Sequence, residues 1–207
     1  MQCNFSDKVL AWYEVNGRKN LPWKVNDPYK IWISEIMLQQ TQVTTVIPYY
    51  LKFIKKYPNI LALSKASLDD LLLIWSGLGY YRRVKNIHSA IAIITKKYNN
   101  KFPSDFDEIL SLPGIGKTTA SAIATFSGFS NKAILDGNVK RILKRFFNIN
   151  DNIPQVEKEL WSKSLSVTPL KQTSNFIQGM MDIGSLVCTR TKPNCNKCPL
   201  KVAGCSY

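Results

Sequence analysis

Two carboxylates and four thiols stand out in the 207-residue sequence because of the company they keep. Glu35 is a lone charge within Ile31-Trp32-Ile33-Ser34-Glu35-Ile36-Met37-Leu38, and helical spacing places Ile31 and Leu38 on its face. Apolar surroundings disfavour the ionised form of a carboxyl and raise its pKa, as a general acid requires. A solvent-facing or ion-paired glutamate is the plainer alternative. Asp136, in Ile134-Leu135-Asp136-Gly137-Asn138, stands where a basic helix should begin, so its simplest reading is an N-cap. Cys188, Cys195, Cys198 and Cys205 follow the pattern C-x6-C-x2-C-x6-C, which is metal-ligand spacing. Zinc and a [4Fe–4S] cluster both suit it, and a pair of disulfides suits it less well in an intracellular protein. Lys192, Lys197 and Lys201 lie among these thiols and could present charge to a phosphate backbone, while Cys3 is left over as a buried or incidental thiol. His88, the only histidine, sits in an amphipathic stretch and reads as structural.

These groups need a scaffold, and the pattern supplies helices throughout. Helical spacing runs from about Ser6 to Asn16, from Tyr29 to about Tyr50 with a break near Pro48, and from Leu51 to Tyr57. Ser67 with Asp70, and Ser104 with Asp107, read as capping boxes. Further helices are expected over Arg82–Tyr98, Thr118–Phe126, Asp136–Phe147, Gln155–Ser166 and Ser174–Val187. No segment alternates with period two, which predicts an all-α fold of about ten helices. Between two of them lies Leu112-Pro113-Gly114-Ile115-Gly116-Lys117-Thr118, a tight turn whose glycines allow a close approach of another backbone, such as a phosphodiester.

Lys and Arg outnumber Asp and Glu 28 to 14, a formal charge of +14 that suits a polyanion. Nucleic acid fits better than a membrane, since no run of about 18 apolar residues occurs and no lipid-binding signature accompanies the charge. The first seven residues lack the basic and apolar regions of a secretory signal, so an intracellular, cytoplasmic protein is expected. Tyr80 and Tyr81 beside Arg82 and Arg83 suit stacking on bases, or equally an ordinary core boundary.

Taken together, the chain resembles the helix-hairpin-helix DNA glycosylase superfamily and, within it, the MutY adenine DNA glycosylases. The resemblance rests on Ser34 to Thr41, Gly77-Leu78-Gly79-Tyr80-Tyr81, Leu112 to Gly116, Ile134 to Arg141 and the cysteine loop, in that order. It implies two helical lobes around a DNA-binding cleft. One is a six-helix barrel over residues 22–129; the other is discontinuous, residues 1–21 plus 130–207, with a C-terminal [4Fe–4S] cluster on the four cysteines. The reaction it implies is removal of adenine opposite 8-oxoguanine or guanine from double-stranded DNA. The base is flipped out because its reacting atoms are buried in the stack. Glu35 matches the acid that protonates adenine, and Asp136 the carboxylate that stabilises the oxocarbenium-like sugar. Gln40 and Tyr80 match wedge positions; Trp23, Lys24, Leu38 and Gln178 match positions lining the adenine pocket. Gly114 and Gly116 would hold a phosphate through their N–H groups, with Thr118 and Lys140 also at the DNA.

Lyase-competent relatives such as endonuclease III carry a Schiff-base lysine at the second position after the hairpin's last glycine. Here that position is Thr118, and Lys117 would point about 100° away on a helix. A monofunctional, monomeric glycosylase that leaves an abasic site is therefore expected. Lys24 stands where the family usually has arginine, removing a planar fork of donors, and the last cysteine gap is six residues rather than five. The sequence ends at Tyr207, whereas most MutY proteins continue into a domain that helps recognise 8-oxoguanine. Adenine removal is expected to survive this, with poorer discrimination between A:8-oxoG and A:G. The rivals are a G:T mismatch thymine glycosylase of the same superfamily and a non-catalytic, cluster-bearing DNA-binding protein.

Overall fold

The computed structural model describes residues 2–150, 152 and 154–207, and the side chains from residue 5 onward, so the reading of Cys3 lies outside the described residues. The described chain is all-α, with eleven α-helices, one 3-10 turn and no strand. In order they are α1 (Gln2–Asn16), α2 (Pro28–Met37), α3 (Val43–Lys56), α4 (Ile60–Leu63), α5 (Leu68–Trp75) and α6 (Arg82–Tyr98). There follow α7 (Phe106–Leu110), α8 (Lys117–Phe126), α9 (Gly137–Phe147), α10 (Val156–Val167) and α11 (Thr173–Leu186), with the 3-10 turn at Cys195–Lys197. None is long and apolar enough to cross a membrane.

Two compact units emerge: Met1–Lys19 with Asn131–Tyr207, and Asn20–Ser130. In the continuous unit, α2 packs on α3 and α8, α5 on α3 and α6, and α7 on α8. Its core is aromatic at the centre, with Trp32 and Trp75 fully enclosed beside Tyr50, Phe53, Leu63 and Leu71. Phe53 stands edge-on to the Trp75 ring at 6.2 Å. The discontinuous unit is held by α1 against α10 and α11, and by α9 against α10 and α11. Phe5 meets Phe146 edge-on at 4.7 Å, with Phe176 at 6.3 Å. Gly179 lets α1 lie close to α11, since a Cβ there would come within 3.0 Å of Val9 and 3.1 Å of Tyr13.

Where chain and expectation differ, the causes are local. The stretch after Tyr29 breaks at Leu38–Gln42, not at Pro48, which sits inside α3, and Leu51–Lys56 continue the same helix. The break falls where a buried guanidinium takes the last carbonyls of α2. The Ser67–Asp70 capping box is present. The second is not: Asp105 caps α7 instead, its carboxylate accepting from the N–H groups of Asp107 and Glu108 at 3.0 and 3.1 Å. A carboxylate accepts from two helix N–H groups at once, so it displaces the serine one residue earlier. The one-turn α4, capped by Asn59, is too short to show a period.

Candidate active site and nucleic-acid interface

Glu35 is positioned by a helix with little freedom. Asp27 caps α2, accepting from Tyr29 N–H at 3.1 Å, and Pro28 occupies the first turn, where its missing N–H matters least. Tyr29, Ile31, Trp32, Ile33, Ser34, Ile36 and Met37 are buried, and the Ser34 hydroxyl donates to Ile31 O at 2.8 Å. Glu35 is half-buried on this apolar helix. Of the other residues read as a base pocket, Leu38 is half-buried and Lys24 exposed. Trp23 belongs to the core, edge-on to Tyr50 at 5.3 Å.

Beyond α2 the chain turns through Gln39 and Gln40. Gln40 is exposed with φ 56°, and Tyr80, after the Gly77–Gly79 turn, is 57% exposed with φ 51°. Left-handed backbone is uncommon for residues bearing a Cβ and is worth noting where side chains project into solvent. The Gln39 amide donates to Gly114 O at 3.2 Å, tying this turn to the hairpin between α7 and α8. In that hairpin Leu112 and Ile115 are buried, whereas Gly114 and Gly116 are exposed. Gly114 has φ +80°, and a Cβ there would lie 2.6 Å from the Asn86 amide nitrogen. Gly116 is the N-cap of α8 and no side chain caps that end. A helix start with free solvent access suits an anion. Thr118, half-buried, is the second residue of α8.

In the discontinuous unit, Asp136 is the N-cap of α9. Its carboxylate accepts from Val139 N–H at 2.7 Å and from the Asn138 amide at 3.3 Å. Burial pushes this carboxyl above the ordinary carboxylate range, against the pull of those donors and of the Arg141 charge. Gln178 on α11 donates to Asp182 Oδ1 at 2.9 Å, and Asp182, fully buried, also receives Arg18 Nε at 2.9 Å, Nη2 at 2.6 Å and the Arg18 N–H at 2.8 Å. The amide of Gln178 is thus oriented by an ion pair that joins the end of α1 to α11. Lys140 pairs with Glu157 at 3.0 Å, so a phosphate there would have to displace a carboxylate.

The cysteine loop is held by α9. Arg141 Nε donates to Cys188 O at 2.7 Å; Arg145 Nη1 donates to Thr189 O at 2.8 Å and to Cys188 Sγ at 3.2 Å. Burial pushes the Cys198 thiol up, with the nearby Cys188 and Cys205 sulfurs acting in the same direction. The four thiols are half-buried and unpaired, and Lys192, Lys197 and Lys201 are exposed around them. Among the described residues, no three or more His, Cys, Asp or Glu side chains converge closely enough to hold a metal ion. Even so, the chemistry of the donor set suits a thiolate-bound cluster: four soft thiols, with Cys198 electrostatically coupled to Cys188 and Cys205, and a guanidinium donating to Cys188. Beside this loop Lys140, Arg141, Lys144, Arg145 and Arg190 line a groove of about 630 Å³.

Two of these arrangements escaped sequence reasoning. Arg83 occupies the inward stripe of α6 with Val84, Ile87, Ala90, Ile91 and Ile94, and a charge in an apolar stripe was the available signal. The Arg18–Asp182 pair spans 164 residues and left no local trace.

Comparison with known proteins completes the picture. Residues 33–164 match the family model described as HhH-GPD superfamily base excision DNA repair protein. An adenine DNA glycosylase of Buchnera aphidicola subsp. Baizongia pistaciae (strain Bp) is 52% identical over 98% of this chain and 58% of its own length. The adenine DNA glycosylase of Homo sapiens is 33% identical over 95% of this chain and 38% of its own. The chain therefore spans little more than half the length of the first of these relatives and less than half of the second. Among solved structures, a thermostable thymine-DNA glycosylase superposes with TM-score 0.90 at 28% identity, covering 100% of this chain and 95% of that one. A trapped endonuclease III–DNA covalent intermediate gives 0.83 at 23%, over 97% and 92% of the two chains, a likeness of fold.

Proposed function

Because the chain belongs to the HhH-GPD superfamily of base excision DNA repair proteins, we propose that it removes adenine mispaired with 8-oxoguanine or guanine, by hydrolysis, leaving an abasic site. The observation that carries this reading is 52% identity to an adenine DNA glycosylase over 98% of the chain. Glu35, half-buried on an apolar helix, is the acid: it delivers a proton to the flipped adenine, and the bond from the sugar C1′ to the base breaks with its electron pair going to the base. The Asp136 carboxylate, oriented by Val139 N–H and Asn138, faces the positive charge left on the sugar. Water then adds at C1′ and gives up a proton to a carboxylate, which closes the balance. Thr118 supplies no amine at the position where lyases place one, so no imine forms and the strand stays intact.

Gln40 and Tyr80 enter the stack, Gly114 and Gly116 hold a phosphate, and Trp23, Lys24, Leu38 and Gln178 line the base pocket. Cys188, Cys195, Cys198 and Cys205 would hold a [4Fe–4S] cluster, which when bound supplies a covalent tie for the loop bearing Lys192, Lys197 and Lys201. The protein acts inside the cell, on DNA, as a monomer.

One observation favours a second reading. The likeness to a thymine-DNA glycosylase extends over 95% of that chain, so thymine from G:T mispairs is the rival substrate. Single-turnover base release from A:8-oxoG, A:G, G:T and thymine-glycol duplexes, with and without alkali, decides between them. Adenine release with strand breaks only after alkali supports the proposal. Thymine release transfers the chain to the rival, and a borohydride-trapped adduct at Lys117 overturns the monofunctional assignment. If no base is released and Glu35→Gln changes nothing, the chain only binds DNA.

A further inference from the structure

Arg83 is a buried cation, 5% exposed, whose partners among the described residues are carbonyls and rings rather than a carboxylate. Nη1 donates to the carbonyls of Ile36, Met37 and Gln39, and Nη2 to those of Leu78 and Gly79, at 3.3 and 3.1 Å. Nε has no partner. The guanidinium carbon lies 5.4 Å from the Trp75 ring centroid and 5.3 Å from that of Tyr80. A buried charge left without a counter-ion is expensive, so the carbonyl ends of α2 and of the Gly77–Gly79 turn must stay gathered around it.

The bonds fall in a telling place. Gln39 O, at 2.8 Å, belongs to the peptide immediately before Gln40, and Gly79 O to the peptide immediately before Tyr80. Those are the two exposed residues whose φ is left-handed, 56° and 51°. Both peptide planes are thus fixed by opposite arms of one planar fork. Gln39 adds a third element through its bond to Gly114 O, which links the hairpin to the same assembly.

We propose that Arg83 is a positioning residue that sets Gln40 and Tyr80 as a pair, preloading both in the conformation that enters the base stack. This rests on the reading above, in which those side chains are wedges. A lysine keeps the charge but cannot donate in two directions from one plane. Arg83→Lys should therefore loosen the pair without removing either wedge.

The test uses a duplex with 2-aminopurine beside the A:8-oxoG pair, whose fluorescence rises on unstacking, read alongside single-turnover adenine release, affinity for undamaged duplex and the unfolding midpoint. Arg83→Lys should lose at least tenfold in unstacking amplitude and release rate, with undamaged-duplex affinity within twofold of wild type. Parallel loss of affinity and unfolding midpoint would indicate a merely structural role and overturn it, as would wild-type unstacking. Trp75→Phe is the second variant, because Trp75 Nε1 also donates to Gly79 O at 3.1 Å and phenylalanine removes that donor while keeping an aromatic ring in the core. Its smaller ring lowers the midpoint through the cavity it leaves, but the protein should stay folded at the assay temperature with reduced unstacking, and unchanged unstacking refutes the pinning of the Tyr80 peptide even if Arg83→Lys does not fold. If the unsubstituted protein unstacks the duplex but releases no adenine, the substrate reading fails, while reduced unstacking by Arg83→Lys still supports the positioning role.

Discussion

Replacing Arg18 with alanine should destabilise the protein far more than a surface change of the same size. Asp182 is fully buried, and Arg18 gives it two side-chain hydrogen bonds, at 2.9 and 2.6 Å. Alanine keeps the backbone N–H bond and the Gln178 bond but removes the only charge that compensates the carboxylate in this pair. Breaking a buried pair from one side costs about 3–5 kcal/mol. The Arg18 side chain keeps 26% of its exposure, so the low end, about 3 kcal/mol, is the expected loss. For a chain of this size that is a fall in Tm of roughly 6–12 °C. Adding Asp182→Asn removes the stranded charge, so the double variant should recover part of the loss, with a coupling of about 2 kcal/mol. Urea unfolding followed by circular dichroism at 222 nm, on the four proteins of the cycle, measures it. A single-variant loss under 1 kcal/mol, or a double variant no better than Arg18→Ala, would refute the reasoning.

Asp136 separates stability from chemistry. Its raised pKa means the folded chain holds that proton more tightly than the unfolded one, so stability from this group is greatest below the ordinary carboxylate value of about 3.9 and declines as pH rises through the folded value. Asp136→Asn keeps the cap and lacks that decline: it should match wild type in acid, exceed it at neutral pH in thermal melts, and release no base. Asp136→Ala also loses the cap, about 1 kcal/mol by urea titration. Glu35→Gln should lower single-turnover release by about 10²–10⁴ while gel-shift affinity for the mispaired duplex is kept. Gly114→Ala forces a Cβ toward Asn86 at a φ of +80°; duplex affinity by fluorescence anisotropy should fall along with the unfolding midpoint. Cys198→Ser should purify with markedly less iron by metal analysis, and full iron retention would remove that cysteine from the ligand set.

Much of this was legible in the chain because it is written locally. Apolar spacing marked most helices, Ser67 with Asp70 marked a capping box, and the glycines of the hairpin marked a turn, in which Gly114 has left-handed backbone. Glu35 announced itself as one charge within an apolar run. Most of what escaped depends on contacts distant in sequence. The break after α2 was misplaced at Pro48 because a proline is a visible helix breaker, whereas the cause lies 44 residues away in Arg83 reaching Gln39 O. Asp105 outcompeted Ser104 for the same helix end, a contest between neighbours that residue type alone does not settle. The orienting of Gln178 by Asp182 and Arg18 required knowing that α1 lies on α11.

That last contact also dictates an order of assembly. The unit built on α1 borrows its other helices from residues beyond Asn131, with the whole of Asn20–Ser130 intervening. As the chain leaves the ribosome, the apolar face of α1, with Phe5, Val9 and Tyr13, has no surface of its own unit to cover it until Phe146, Phe176 and Gly179 have been made. The intervening unit can finish first. Synthesis arrested before α11 therefore leaves a folded middle with a sticky leading helix, the form of this protein that chaperones and proteases are best placed to meet.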